Sequence, residues 1–556
     1  MRSLFIFLCL PWILSADEKW LELRSGQFEV LTTAGDKAAR TQMTQLEQFR
    51  HALGTSLGKP DLKLLWPLRI LLSGHVSPRA KPSSIALARD SYILAVTETG
   101  GLPPDRLQEL ALLLIAQNTN RLPGEIERGL VDLFSTLQVS GTHLVLGTPP
   151  ANRSRDWARM HLLSVDPAYT GRTRVMLSNL EQGAELATAY RNAFEKTEAQ
   201  VEKQVDAYMA AGQYGTTTVS ARAISAKDFH VNTADADVIK LAQADLLLAT
   251  GSAQAEAAYA ALHGPEAAEG LGLVALRANR KNEAKQLFES AVVSGSKSPR
   301  PWLEAATLEP DPAKAAKLFE KAGELNPRWA MPAFRWSTRE ADFDRRAILL
   351  KKAAALEPRN GEYWRILARN ETDANRFVEA QKAWGGAERA AANREEREQI
   401  RQLRLNLQGQ RADHEAAERK RKADEEAAEL ERLKNETMAS IHEAESAANR
   451  KLNPNGAVPP KPVDWWNAPE GSAKVEGTLQ RFDCLGSQAR LVILTSESKT
   501  VQLLARDPSQ MSITGAGEMT LSCGPQKPPR KVLVTYSPKA DKKMGTAGEP
   551  VTIEFR

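Results

Sequence analysis

Charge of one sign is missing from this sequence: 74 lysines and arginines face 69 aspartates and glutamates, a net +5 spread through charge-mixed segments. So weak an excess argues against nucleic acid as a partner, and the mixing reads as solvated helix faces. Long apolar runs are missing too. Beyond the first residues no stretch reaches the roughly 20 apolar residues that a membrane-spanning helix needs. Histidine is sparse, eight in 556 residues, and scattered. No Ser, His and Asp arrangement and no Gly-rich phosphate loop stands out. Only three cysteines are present, Cys9, Cys484 and Cys523.

What is present begins with Arg2, an apolar run from Leu4 to Leu14 broken only by Cys9 and Pro11, and Ser15-Ala16 ahead of Asp17-Glu18. That is the layout of a secretory signal peptide over residues 1–16, so export to a periplasm or beyond is expected, with no membrane span once it is removed. Phe7 and Leu8 are too bulky before Cys9 for a lipid attachment site. Removal of the leader leaves Cys484 and Cys523 in an oxidising compartment. There they form a disulfide or stay as two buried thiols, depending on a Cα spacing that sequence does not show.

A chain of 556 residues is too long for one hydrophobic core, and its composition changes along its length. Residues 17–235 read as an α+β head. Gln27 to Thr33 alternates as a half-buried strand does, and Leu65 to Ser73 and Ser91 to Thr97 are further strand signals. Between Asp105 and Ile115, Leu107, Leu110, Ala111, Leu114 and Ile115 recur at helical spacing, and a second helix is predicted from Gly124 to Leu137 after Pro123.

Residues 236–393 lose the strand signals and become rich in Ala, Leu, Glu and Lys with short polar turns, the composition of packed helix pairs. A tetratricopeptide-type period of about 34 residues can be counted there. One copy is phased by Trp364, Leu367, Ala368, Ala380, Trp384 and Ala387, another by Leu271, Gly272, Ala275, Ala284, Phe288 and Ala291, with Gly272 at the close approach between helices. Ala315, Phe319, Ala322 and Pro327 mark a third, the copy ending at Pro358 is degenerate, and Leu241 to Leu262 reads as an N-terminal cap. Residues 394–452 interleave Glu, Lys and Arg as an exposed helix does; Leu430, Leu433, Met438, Ile441 and Ala444 make a thin seam that leaves a coiled-coil contact open. Residues 453–470 form a Pro-rich linker. Residues 471–556 return to short strands, Val475 to Phe482, Ala489 to Leu494, Thr500 to Ala505, Met519 to Leu521, Lys531 to Tyr536 and Val551 to Phe555, the pattern of a small barrel or sandwich.

The head resembles the gluzincin-like, peptidase-MA-type domain that precedes tetratricopeptide repeats in some bacterial exported proteins. The likeness rests on the early strand followed by Thr33-Ala34-Gly35, on Leu46-Glu47-Gln48-Phe49-Arg50 and on the helix pair around Pro123. In active members of that family one helix carries His-Glu-x-x-His, whose imidazoles share one face to hold zinc while the Glu serves as general base, and the next helix supplies a third, Glu ligand. The matching positions here are Gln108, Glu109, Leu112 and Arg128: both histidines are gone and the third ligand is a cation. Only Glu109 survives. The resemblance therefore implies the fold without the activity, with no catalytic residue, no metal and no cofactor.

Remaining candidates are weaker. His414-Glu415 and His442-Glu443 lack the second histidine of a zinc motif. Trp364 and Trp384 sit on packing positions, and Trp465 and Trp466 in the linker either dock within the chain or meet a partner. Lys527, Arg530, Lys531, Lys539, Lys542 and Lys543 protect a strand surface or touch an anionic polymer of the envelope. The sequence thus predicts a mainly α, multidomain, exported scaffold binding protein partners through its helical array. Its rivals are an envelope-polymer or nucleic-acid binder acting through the basic β module, and a metallopeptidase with a non-standard site.

Overall fold

A computed structural model of the chain describes residues 19–73, 84–140, 143–452, 472–515 and 521–556. They belong to two compact units, Met1–Ala428 and Glu429–Arg556. The expected leader with Cys9, and the expected linker with Trp465 and Trp466, lie outside the described residues. Eighteen α-helices among the described residues make the chain mainly α, and none of them is long and apolar enough to cross a membrane.

The first unit opens with β1 (Leu21–Ser25), β2 (Phe28–Thr32), α1 (Asp36–Ser56), β3 (Leu68–Leu72), β4 (Ala86–Leu87) and β5 (Tyr92–Val96). Gly26, at φ 55°, turns β1 into β2, a conformation glycine adopts without steric cost. There follow α2 (Pro104–Asn118), α3 (Gly124–Ser135), β6 (Gln138–Ser140), β7 (His143–Leu146), α4 (Arg155–Val165), α5 (Thr173–Glu181), α6 (Leu186–Phe194), α7 (Glu198–Ala211), β8 (Thr217–Val219) and β9 (Val231–Thr233). Six strands form a mixed sheet in the order β4-β5-β3-β2-β1-β9, while β6, β7 and β8 make a small sheet of their own.

Alternation along the strands decides what packs on each face of the main sheet. Val30, Ile70 and Leu94 are register partners and belong to the large core with Met43, Leu46 and Phe49 of α1 and with α2 and α3. Leu31, Leu71 and Ile93 point the other way and pack against Ile239 and Ala242. Those two residues belong to α8 (Ala236–Ala249), so the expected capping remnant covers the second face of the head's sheet. Helix ends follow local chemistry: Pro104 sits in the first turn of α2, and Ser154 caps α4 by accepting from the Trp157 amide.

After α9 (Ala255–Ala260) come four antiparallel pairs: α10 (Pro265–Arg277) with α11 (Lys281–Val293), α12 (Pro299–Leu308) with α13 (Pro312–Leu325), α14 (Met331–Ser337) with α15 (Phe343–Leu356), and α16 (Gly361–Asp373) with α17 (Phe377–Ala390). Large side chains enter gaps over small ones. A Cβ at Gly272 would lie 2.6 Å from the Phe288 ring, and one at Gly386 would overlap Trp364. Ala275, Ala284, Phe288, Ala291, Ala315, Phe319, Leu367, Ala380, Trp384 and Ala387 are buried, whereas Leu271 and Trp364 are partly buried.

α18 (Arg394–Leu452) runs for 59 residues, and only its Ile400 and Leu407 are buried. Leu430, Leu433, Met438 and Ile441 are exposed. In the second unit β10 (Ala473–Leu485), β11 (Gln488–Thr495), β12 (Thr500–Ala505), β13 (Ser512–Thr514), β14 (Gly524–Ser537) and β15 (Glu549–Phe555) form one sheet in the order β12-β11-β10-β14-β15-β13. A parallel bridge from Leu503 to Gly548 draws β12 toward β15, and the sheet curls into a half-barrel. One curled sheet replaces the two-sheet alternative, because Leu479, Leu491, Ile493, Val532, Val534 and Ile553 fill a single core on its inner side. Met519 and Thr520 of one expected strand lie outside the described residues, and Leu521 is in no strand. Cys484 and Cys523 are joined in a disulfide, their Cα atoms 5.5 Å apart.

Candidate functional site

Gln108 and Leu112, four residues apart, share one face of α2 with Glu109 beside them, and Arg128 lies one turn into α3. Across the helix pair, Gln108 Nε2 donates to Asp132 Oδ1 at 3.1 Å, and the second oxygen of Asp132 accepts from Ser154 at 2.9 Å. Glu109 is committed on both oxygens: Oε2 accepts the Ile85 amide at 2.6 Å and Oε1 pairs with Arg106. Leu112 is half exposed. Arg128 turns away from the pair, its Nε donating to Asp156 on α4 at 2.8 Å. Gln108 is thus joined to Asp132, and Arg128 is not brought to it. Among the described residues no group of three or more His, Cys, Asp or Glu side chains is placed to hold a metal ion.

His161 is the buried histidine of the head, in the interior of α4. Its Nε2 faces the carbonyls of Gly147 at 2.9 Å and Gly215 at 3.1 Å, and its Nδ1 meets the Tyr208 hydroxyl at 2.9 Å. Neutral imidazole fits these partners, donating from Nε2 and accepting at Nδ1. Burial pushes its pKa below the usual histidine value. The ring ties the small sheet to α4 and α7, and no carboxylate is among these partners.

A second polar concentration joins the head to the helical array within the first unit. Register places Glu29 beside Arg69 on the face that α8 covers. Arg69 bonds Glu29 and reaches Asp245 of α8 at 3.0 Å, and the Tyr259 hydroxyl donates to the same carboxylate. Arg89, in the turn between β4 and β5, pairs with Glu269 on α10 and lies 3.4 Å from Asp245. Ser296 donates to Glu269 as well. Arg89, Asp245 and Glu269 are each at most 3% exposed. Burial works against the Arg89 charge, yet Asp90, Asp245 and Glu269 together outweigh it and raise its pKa. Burial also pushes the Glu269 carboxyl above the usual range, against the pull of Arg89.

Further contacts continue along the array. Arg300 at the start of α12 donates to the Ala88 carbonyl. Asn326 and Arg328, between α13 and α14, donate to the carbonyls of Leu65 and Leu64 at 3.1 and 3.0 Å, and Trp329 meets Trp66 edge to face at 5.0 Å. Arg359, between α15 and α16, donates to both Glu127 oxygens at 2.7 and 2.6 Å. These residues sit on first helices or on the loops that lead into them, so the head covers part of the first-helix surface of the array. Between head and array remains a cavity of about 1040 Å³ whose wall includes Tyr92, Leu112, Arg121, Arg328 and Arg359.

No feature of the sequence announced this junction. Arg89 and Glu269 are 180 positions apart, each in a segment that reads as solvated charge, and only folding places them together. The one available signal was the Glu29 and Arg69 pair, two charges inside otherwise apolar strands.

No family model matches the chain, and no curated protein matches it. Solved structures with a similar stretch include YrrB, a TPR protein with an unusual peptide-binding site, at 17% identity and a TM-score of 0.26, covering 30% of this chain and 92% of that one. MamA aligns at 16% identity and a TM-score of 0.24 over 28% of this chain and 94% of its own. TTC0263, a thermophilic TPR protein of Thermus thermophilus, aligns at 20% identity and a TM-score of 0.23 over 31% and 98%. Likeness at this level carries no argument about function, and the helix-pair array stands on its own packing, with Gly272 under Phe288 and Gly386 under Trp364.

Proposed function

We propose that the chain is an exported, non-catalytic scaffold of a bacterial envelope, in which a degenerate gluzincin-like head and a tetratricopeptide-type array together hold protein partners. The observation that carries this reading is the state of the four positions where a zinc peptidase keeps its ligands and base, three of them engaged elsewhere and one aliphatic. Gln108 is bonded to Asp132, Glu109 to the Ile85 amide and Arg106, and Arg128 to Asp156, while Leu112 has nothing to ligate with. Zinc hydrolysis needs three protein ligands, an open fourth position for water and a carboxylate free to take its proton. Side chains that brace α2 against α3, α4 and the β4 segment support a head retained for its shape. Partner binding then falls to the array, where a segment buries apolar side chains along stacked helices and polar rims orient it.

Elemental analysis of the purified full chain, with a peptidase assay on the wild type and Glu109→Ala, tests the silent head. Substoichiometric zinc and no cleavage that depends on Glu109 are expected. One zinc per chain together with cleavage abolished in Glu109→Ala would defeat the reading. Crosslinking in intact cells with the full chain as bait tests the scaffold half, and a chain that captures no protein above a control leaves the array without the proposed role.

A further inference from the structure

The cavity at the head–array junction is walled by arginines whose hydrogen-bonding capacity the fold leaves unfilled. Arg121, in the turn from α2 to α3, has neither an ion pair nor a hydrogen bond with the described residues, and its Nε is buried without an acceptor. Glu396 on the same wall is near enough to feel its charge but is committed to Arg365 and to the Ala392 amide. Arg328 spends its nitrogens on the backbone carbonyls of Leu64 and Lys63, with no carboxylate in ion-pair contact among the described residues. Arg359 binds Glu127 through Nη2 alone, and its Nη1 is buried with no partner.

A buried donor without an acceptor destabilises, the more so when it is charged. Arg121 and Arg328, two guanidinium groups on one wall without a carboxylate partner among the described residues, form a surface that gains from an incoming acceptor, and their planar forks match carboxylates in two-point contacts. The rest of the wall restricts which acceptor fits. Leu65, Tyr92 and Leu112 supply apolar surface between the arginines, while Glu357, Glu362 and Glu396 line the same cavity and would repel a densely charged polyanion. Carboxylates spaced along a peptide, with apolar side chains between them, meet both conditions. A volume of about 1040 Å³ stands at the top of the ligand-sized range of about 300–1,000 Å³.

We propose that this cavity receives an acidic peptide segment of the protein partner, its carboxylates taken by Arg121 and Arg328 and an intervening apolar side chain laid against Tyr92 and Leu112. The inference rests on the scaffold reading and specifies the partner chemistry it uses. Leu112 then contributes as contact surface.

The test uses the full chain and fluorescence anisotropy with a dye-labelled, acetylated hexapeptide that alternates glutamate and leucine, beside its glutamine counterpart. Saturable binding of the glutamate peptide is expected, about tenfold weaker for the glutamine peptide and about tenfold weaker again in the Arg121→Gln and Arg328→Gln double variant, as the loss of charge-assisted bonds implies. Arg121→Gln alone removes no hydrogen bond or ion pair with the described residues, so it keeps the test valid if the double variant misfolds. Equal affinity for both peptides, no saturable binding of the glutamate peptide, or unchanged affinity in Arg121→Gln and in a folded double variant would each overturn the proposal. Crosslinking separates this failure from that of the scaffold: capture undiminished in Arg121→Gln removes the cavity and leaves the scaffold, whereas no capture by the wild type removes both.

Discussion

Single atoms decide how the helices of the array approach one another. Gly272 is set where any side chain meets the Phe288 ring, and Phe288 is fully buried and has no room to retreat. Gly272→Ala is expected to lower stability by about 1–3 kcal/mol through overpacking, read as a reduced midpoint in urea unfolding. The substitution would normally favour a helix, so a stabilised variant would show that this contact is loose. In the head, His161 supplies a pH dependence with a definite sign. Its folded pKa is depressed by burial, so the unfolded chain binds the proton first as pH falls. The contribution is complete above the unfolded value of about 6.5 and is lost as pH drops from there through the folded value, at about 1.4 kcal/mol for each pH unit that separates the two. Denaturant unfolding between pH 5 and 8 is expected to show stability declining below about 6.5, with a shallower decline in His161→Gln.

At the scale of elements, period and caps were readable and partners were not. Strands around Val30, Ile70 and Leu94, helices α2 and α3 and the pairs from α10 to α17 follow from apolar spacing and from prolines at helix starts, which are local properties. β13 was missed because its three residues owe their strand to neighbours in the sheet, while β1, as long as β2, was passed over although Leu21 and Leu23 alternate with Glu22 and Arg24. The sheet of the second unit adds a covalent constraint that sequence left open: Cys484 at the end of β10 is tied to Cys523 just before β14, closing a separation of 39 residues. Loop-closure entropy at that length is worth about 4 kcal/mol. Reduction is expected to lower the unfolding midpoint of this unit and to leave that of the first unit unchanged, measured by scanning calorimetry with and without reductant. Equal midpoints for the second unit under both conditions would argue against the bridge as a source of its stability.

At the scale of the whole molecule, the first unit is a head and an array locked by buried charge, so an activity assigned to either part has to be compatible with both. Arg89→Ala would leave Glu269 in the interior with Ser296 as its hydrogen-bond donor and no cation, at a cost of about 3–5 kcal/mol, while Asp245 keeps Arg69 and Tyr259. Calorimetry is expected to show the head and array transitions separating in that variant, while Arg89→Met with Glu269→Leu recovers much of the loss by removing both charges. A single unshifted transition in Arg89→Ala would mean that the pairing does not hold the two parts together. The sequence by itself determined the helical period, the small-over-large packing of the pairs and the absence of histidine from α2, because each depends on residue type at fixed local spacing. Only the tertiary structure decided that the head fills part of the first-helix surface, that Glu109 is spent on Ile85 and Arg106, and that unfilled arginines gather around one cavity. Charges far apart along the chain look alike until folding removes the water that would otherwise satisfy them.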